Sequence, residues 1–247
     1  MVPSITSFYN LKPNTVHIWS LNFVVNDNAY RRYHCLLSED EKKRASKFKF
    51  YKDKRCYVVS KGVLRILSGG YLNTDAKTIA FDYGKYGKPR YKHETLLNFN
   101  VSHSGDIAII GFVYDYTIGV DIEKIKNDFD TFEIAINFFS KKEIAALRKI
   151  PKPLQHKAFY SCWTRKEAFI KAKGQGLSFP LDSFSVSLDS HEKTKLLETK
   201  WDEDEKNLWN LFSFSPKEKY IGAISVHGEV NNVQYYNFND YFKTLSE

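Results

Sequence analysis

The stretch Ile118-Gly119-Val120-Asp121-Ile122-Glu123-Lys124 alternates apolar and acidic residues with the two-residue period of a strand. Val120 and Ile122 then face a core, and Asp121 and Glu123 project together from the other face. Two carboxylates this close repel, and each raises the pKa of the other unless a cation neutralises them. An all-oxygen pair suits a hard cation such as Mg²⁺. An exposed acidic pair at a strand end gives the same pattern. Just upstream, Ile107–Val113 reads as another strand, joined through a tight turn near Asp115. Downstream the period turns helical. Ser140 and Glu143 form a capping box that opens a helix over Lys141–Ile150, and Pro153 starts a helix that runs to Lys173 and stops at Gly174.

Further out, Val16–Val25 reads as a strand with His17, Trp19, Leu21 and Phe23 on one face. Ser38 and Glu41 make a second capping box, predicting one long helix to about Leu67 that Gly69-Gly70 ends. A loop over 82–90, a strand at Asn98–Ser102 and tail strands at Phe184–Leu188, Leu208–Phe214 and Tyr220–Val226 complete the pattern. The expected fold is α+β, in two halves of similar make-up, 1–115 and 116–247.

The 247 residues are 43% hydrophobic and 16% aromatic with only 12 Gly, which excludes a disordered or fibrous chain. A net charge of +8 favours an anionic partner. Cys35, Cys56 and Cys162 are odd in number and lack CxxC spacing, so they read as reduced thiols. Met1–Asn14 has no basic segment followed by an apolar core, and no apolar run reaches the ~18–20 residues that span a bilayer. The expected location is the cytoplasm, with no membrane association.

Trp163, Glu167 and Lys171 stand four apart and form one helical stripe. The stripe reads either as a surface Glu–Lys pair under a half-buried Trp, or as a third metal carboxylate beside a phosphate-binding lysine. Lys173, about 200° around the helix from Lys171, is expected to do little for phosphate stabilisation. Ser102 and His103 are adjacent on a strand and point to opposite faces, which argues against a hydrolase triad with Asp121. They suit a phosphate site or a structural turn equally. The basic run Lys42–Arg55 suits a solvated helix face as well as an anion site.

Read together, five blocks resemble the 4'-phosphopantetheinyl transferases of the surfactin-synthetase-activating (Sfp) type. They are Tyr86–Pro89, Phe99–Gly105, Ile118–Lys124, Phe138–Glu143 and Trp163–Leu177, followed by Pro180–Phe184. The resemblance implies a pseudo-twofold monomer with coenzyme A in the cleft between its halves. It assigns Asp121, Glu123 and Glu167 to Mg²⁺, and Lys171 and His103 to the coenzyme A phosphates. Asp121, Glu167 and Lys171 would carry the chemistry, with Glu167 as candidate base. Ser102 falls in the phosphate-contacting segment, and Gly87-Lys88-Pro89 lies along the adenine. Arg44 aligns with a lysine that contacts the 3'-phosphate. The family's second lysine there is replaced by Glu41, with Lys42 or Arg55 as compensating candidates. The implied reaction moves phosphopantetheine to a serine of an apo carrier protein of fatty-acid, polyketide or peptide synthesis and releases adenosine 3',5'-bisphosphate. Ile125–Phe139 would meet the carrier through Phe129 and Phe132, with Phe138 and Phe139 in the core. A metal-dependent nuclease and a non-catalytic basic module are the competing classes. The absence of the usual nucleic-acid-binding signatures lowers both, so no nucleic-acid partner is expected.

Overall fold

Alternation places the first strand, β1 (Thr15–Asn22), with Trp19 and Leu21 on one face and Val16 and Ile18 on the other. The coordinates are a computed structural model that describes residues 9–188 and 194–242. Residues 1–8, part of the segment read as lacking a leader, lie outside the described residues.

After β1 comes a helix the sequence reading missed, α1 (Asp27–Leu36), capped by Asn26. The Ser38–Glu41 capping box forms as expected, yet its helix, α2 (Glu39–Ser46), is short, and α3 (Tyr51–Leu72) starts afresh. The single long helix is therefore corrected to two. A continuous helix would hold Glu41 and Arg65 about 36 Å apart along its axis. Here their side chains meet at 2.8 Å, so the chain must fold back between them. Gly69 and Gly70 do not end α3. They lie inside it, where a Cβ on Gly70 would strike the Tyr9 ring and one on Gly69 would sit 2.8 Å from the Thr74 carbonyl. The stop is Asn73, in the left-handed region at φ 49°.

A small hairpin, β2 (Phe81–Tyr83) and β3 (Pro89–Tyr91), leads to β4 (Leu97–Ser104) and β5 (Ile107–Tyr114). β1, β5 and β4 are antiparallel neighbours in one sheet. Asp115 turns at φ 62° and sends the chain into β6 (Thr117–Lys124), which opens a second sheet and does not extend the first. The expected strands therefore exist at 107–114 and 117–124, and the chain changes sheets between them.

Three helices follow: α4 (Thr131–Phe138), α5 (Lys141–Lys149) and α6 (Lys152–Lys173). The Ser140–Glu143 box and the Gly174 stop, at φ +69°, form as the sequence predicts. β7 (Phe184–Val186) pairs with β8 (Leu196–Thr199), while β9 (Trp209–Phe214) and β10 (Tyr220–His227) join β6. The last strand, β11 (Asn232–Asn237), crosses back to run parallel to β1 in the first sheet.

The two sheets enclose an apolar layer that includes Ile18, Ile109, Val113, Val120, Ile122 and Ile224. The first sheet packs α3 on its other face through residues such as Trp19, Leu64 and Phe112, and the second packs α6 through Phe169, Ile170 and Ile221. The molecule is α+β, layered helix, sheet, sheet, helix. Among the described residues no helix is long and apolar enough to cross a membrane.

Candidate active site

Where the two sheets meet, edge strands β4 and β6 lie side by side and are joined by side chains. Asn100, Ser102 and Ser104 stand two apart on β4, so all three reach β6. Asn100 Oδ1 accepts from the Val120 amide at 2.9 Å, and Ser104 Oγ accepts from the Lys124 amide at 3.0 Å. Ser102 Oγ donates to Asp121 Oδ1 at 2.9 Å, and Ser104 Oγ donates to Glu123 Oε2 at 2.8 Å. The sequence reading overlooked Asn100 and Ser104, although the period-two polar stripe Asn-x-Ser-x-Ser was there to be read.

On its other side β6 touches the backbone of α6. A Cβ at Gly119 would collide with the Ala168 carbonyl and the Ala172 amide, so only glycine allows this approach. It brings the Glu167–Lys171 stripe onto the carboxylates of β6. Lys171 Nζ donates to Asp121 Oδ1 at 2.6 Å and to Ser102 Oγ at 3.0 Å. Asp121 is buried at 4% exposure. Its second oxygen, Oδ2, is buried without a partner.

Burial pushes the Glu167 carboxyl up to about 7, with Asp121 adding to the rise and Lys171 opposing it. Glu123 is also raised, chiefly by burial, while its bond from Ser104 pulls the other way. His103 is held below its usual range by partial desolvation and then by Lys171. Its ring meets Phe23 edge-on at 6.1 Å between centroids.

Among the described residues, no three His, Cys, Asp or Glu side chains already stand in a metal-holding arrangement. The donor chemistry nevertheless fits a hard cation. Asp121 Oδ2 is an unpaired buried acceptor, and Glu123 and Glu167 both sit in surroundings that disfavour their charge. Lys171 can keep Oδ1 while a cation takes Oδ2.

Two clefts flank this row. One, of about 610 Å³, runs past Glu123 and is lined by Lys52, Lys124, Lys126, Phe129 and Trp163. The other, of about 400 Å³, is lined by Tyr86, Lys88, Pro89, Glu167 and Lys171. The structure thus gathers Ser102, Asp121, Glu123, Glu167 and Lys171, with His103 close enough to feel Lys171.

The basic residues of the first half are placed differently. Arg44 is exposed, with its guanidinium over Tyr57 at 5.5 Å. Arg55 donates to the Val25 carbonyl and to Tyr51 Oη at 2.9 Å and lies over Tyr30, so it is engaged at the start of α1. Lys42 pairs with Glu39 at 2.8 Å. Position 41 is structural in this chain: it is buried, closes the capping box and pairs with Arg65. At the end of α4, Phe139 just past the helix is buried as expected, whereas Phe138 is 40% exposed and is corrected from core to surface. Phe129 and Phe132 are half-buried against the core, and Phe129 meets Phe159 edge-on at 5.6 Å.

The comparisons with known proteins fall along most of this frame. Residues 117–225 match the 4'-phosphopantetheinyl transferase superfamily, and residues 25–112 match the N-terminal region of 4'-phosphopantetheinyl transferases. The 4'-phosphopantetheinyl transferase HetI of a Nostoc species is 32% identical over 222 residues, covering 88% of this chain and 90% of that one. The 4'-phosphopantetheinyl transferase Sfp of Bacillus subtilis is 37% identical over 157 residues, 64% of this chain and 69% of its own length. The L-aminoadipate-semialdehyde dehydrogenase-phosphopantetheinyl transferase of Mus musculus is 29% identical over 77% of this chain and 67% of its own. A carboxylate row between two clefts, on a chain that aligns with these enzymes over most of its length, belongs to the 4'-phosphopantetheinyl transferase superfamily, as an enzyme of its Sfp type.

Proposed function

We propose that this enzyme works as a cytoplasmic monomer that uses Mg²⁺ to move the phosphopantetheine arm of coenzyme A to a serine of an apo carrier protein, releasing adenosine 3',5'-bisphosphate. The observation that carries the reading is Asp121, with one oxygen saturated by Ser102 and Lys171 and the other buried and bare between two clefts. Asp121, Glu123 and Glu167 would hold the Mg²⁺, which when bound supplies charge neutralisation at a pyrophosphate.

The remaining roles follow from the chain's own groups. Lys171 keeps its ammonium beside Asp121 and Ser102 and offers its third proton to a phosphate in the 400 Å³ cleft. Ser102 fixes Asp121 Oδ1 from the first half, and His103 presents an imidazole at the same strand end. Glu167 is the candidate acceptor of the serine proton: without a cation burial raises its carboxyl to about 7, and a Mg²⁺ bound to it would lower that basicity. Coenzyme A would enter on the side of Tyr86–Pro89, and the carrier serine on the side of Glu123. The halves 1–115 and 116–247 then serve as the two walls of the site. The net charge of +8 would draw both anionic substrates by long-range attraction.

The test is the mass of an apo carrier domain co-expressed with the chain. It should rise by one phosphopantetheine with the wild type and stay unchanged with Asp121→Ala. Coenzyme A should raise the melting temperature where an oligonucleotide does not. An unmodified carrier, or equal modification by Asp121→Ala, would overturn the proposal.

A further inference from the structure

Lys88 sits in the turn of the β2–β3 hairpin, whose backbone is closed by the Gly84 amide on the Lys88 carbonyl at 2.9 Å. Its side chain leaves the hairpin altogether. Lys88 Nζ donates to the Ile118 carbonyl at 2.9 Å and to the Ala172 carbonyl at 3.1 Å. Ile118 is on β6, three residues before Asp121, and Ala172 follows Lys171 on α6. One ammonium from the first half therefore joins both elements of the second half that carry the charged site.

The chemistry of this contact is that of a strut. Ala172 is in the last turn of α6, where carbonyls lack helical partners and the helix dipole favours a cation. Among the described residues Lys88 forms no ion pair, and carbonyl dipoles hold its charge. Burial lowers its pKa to about 8. The stem packs near Gly174 and lines both the 400 Å³ cleft and a neighbouring cavity of about 340 Å³.

We infer that Lys88 is a positioning residue, whose ammonium fastens the hairpin turn to β6 and α6 so that the hairpin, Asp121 and Lys171 hold one geometry. The inference rests on the substrate reading above, in which coenzyme A lies against this hairpin. A nucleotide seated there would be registered against the carboxylates through Lys88, without the ammonium touching it. Removing the ammonium should then lower turnover while leaving nucleotide affinity in place.

Lys88→Met keeps the stem and removes both hydrogen bonds. The expected result is a fall in kcat of about 10- to 100-fold, as for misplaced groups in other sites. The dissociation constant for coenzyme A, by calorimetry, should stay unchanged, and Lys88→Arg should recover much of the loss. A weakened coenzyme A affinity with kcat intact would overturn the inference by making Lys88 a nucleotide contact. No change in either would overturn it too. Should Lys88→Met fail to fold, hydrogen exchange on the wild type decides: coenzyme A should protect residues 84–91 and 168–175 together, and protection confined to the hairpin would overturn the strut. Lys171→Ala in the same assay tests the site itself. Full turnover by that variant would overturn the assignment of Lys171 to the site. A carrier left unmodified by the wild type would overturn the substrate reading, whereas failure at Lys88 alone overturns only the strut.

Discussion

Glu167 binds a proton more tightly in the folded chain than in the unfolded one, with a pKa near 7 against an ordinary 4.5. Between those values the folded state carries the extra proton, so stability falls as pH rises from about 4.5 to about 7. Glu167→Gln removes that ionisation. It should stabilise the metal-free protein by about 1–2 kcal/mol at pH 8 relative to pH 5, after allowance for screening at a partly open site. Urea unfolding at the two pH values measures this, and an equal effect at both would count against it. The same variant should lose most carrier modification, and Mg²⁺ should raise the melting temperature of the wild type more than that of the variant. The neighbouring Lys171→Ala should cost about 2–4 kcal/mol of transition-state stabilisation, read as a fall in kcat. Two-residue and four-residue spacings put Asp121 with Glu123 and Glu167 with Lys171 by local geometry. That geometry fits plain surface pairs as well, and only the family resemblance joins the two pairs into one site. Ser102 on Asp121, Asn100 on Val120 and Lys88 on Ala172 bridge gaps of 19, 20 and 84 residues, which no local period encodes.

At the scale of the element, the end of α6 shows how position on a helix can mislead. Spacing sets Lys173 away from Lys171 and makes it look dispensable for phosphate stabilisation. Its ammonium instead pairs with Glu205 and lies among Phe169, Phe179, Trp201 and Trp209, 5.0–6.0 Å from each ring centroid. The indole N–H groups of Trp201 and Trp209 also donate to Glu205. Lys173→Ala should therefore destabilise by about 2–3 kcal/mol, leaving a half-buried carboxylate with one fewer cation. An unchanged melting temperature would sink this. The break between α2 and α3 teaches a related lesson. Both capping boxes are local and were readable, but the fold-back depends on Glu41 meeting Arg65, a contact that helical periodicity conceals. Installing the family's lysine by Glu41→Lys should not repair a phosphate site. It would set three cations together, the new lysine with Arg65 and Lys61, in a buried pocket and remove the capping box, at about 3–5 kcal/mol by denaturant unfolding. Stability equal to wild type, with tighter coenzyme A binding, would be the opposing result.

For the whole molecule, the question is which surface meets a partner once the charged row is fixed between two clefts. The wider cleft has cations from both halves, Lys52 from α3, Lys124 at the end of β6 and Lys126 just beyond it, above a floor that includes Phe129 and Trp163. Beyond it, α4 exposes Ile136 at 60% and Phe138 at 40%. Apolar side chains left in water beside fixed positive charge suit an amphipathic acidic helix, the form expected of a carrier protein in the proposed reaction. Phe129 packs against Phe159, Tyr160 and His156, so its loss should act through the core. The double variant Ile136→Ser with Phe138→Ser should raise the apparent KM for the carrier by about 5- to 10-fold, the range of one or two interface anchors. Coenzyme A affinity should be unchanged and the melting temperature should fall only slightly, because Ile136 faces solvent and Phe138 gives up one edge-on contact with Trp163. Phe129→Ser should instead cost about 3 kcal/mol of stability. The KM for the carrier should also climb with ionic strength, since exposed cations lose their reach as the Debye length shortens. If Phe129→Ser alone raised that KM with stability intact, and the α4 double variant did nothing, the docking face would lie along the cleft floor and α4 would be excluded from it.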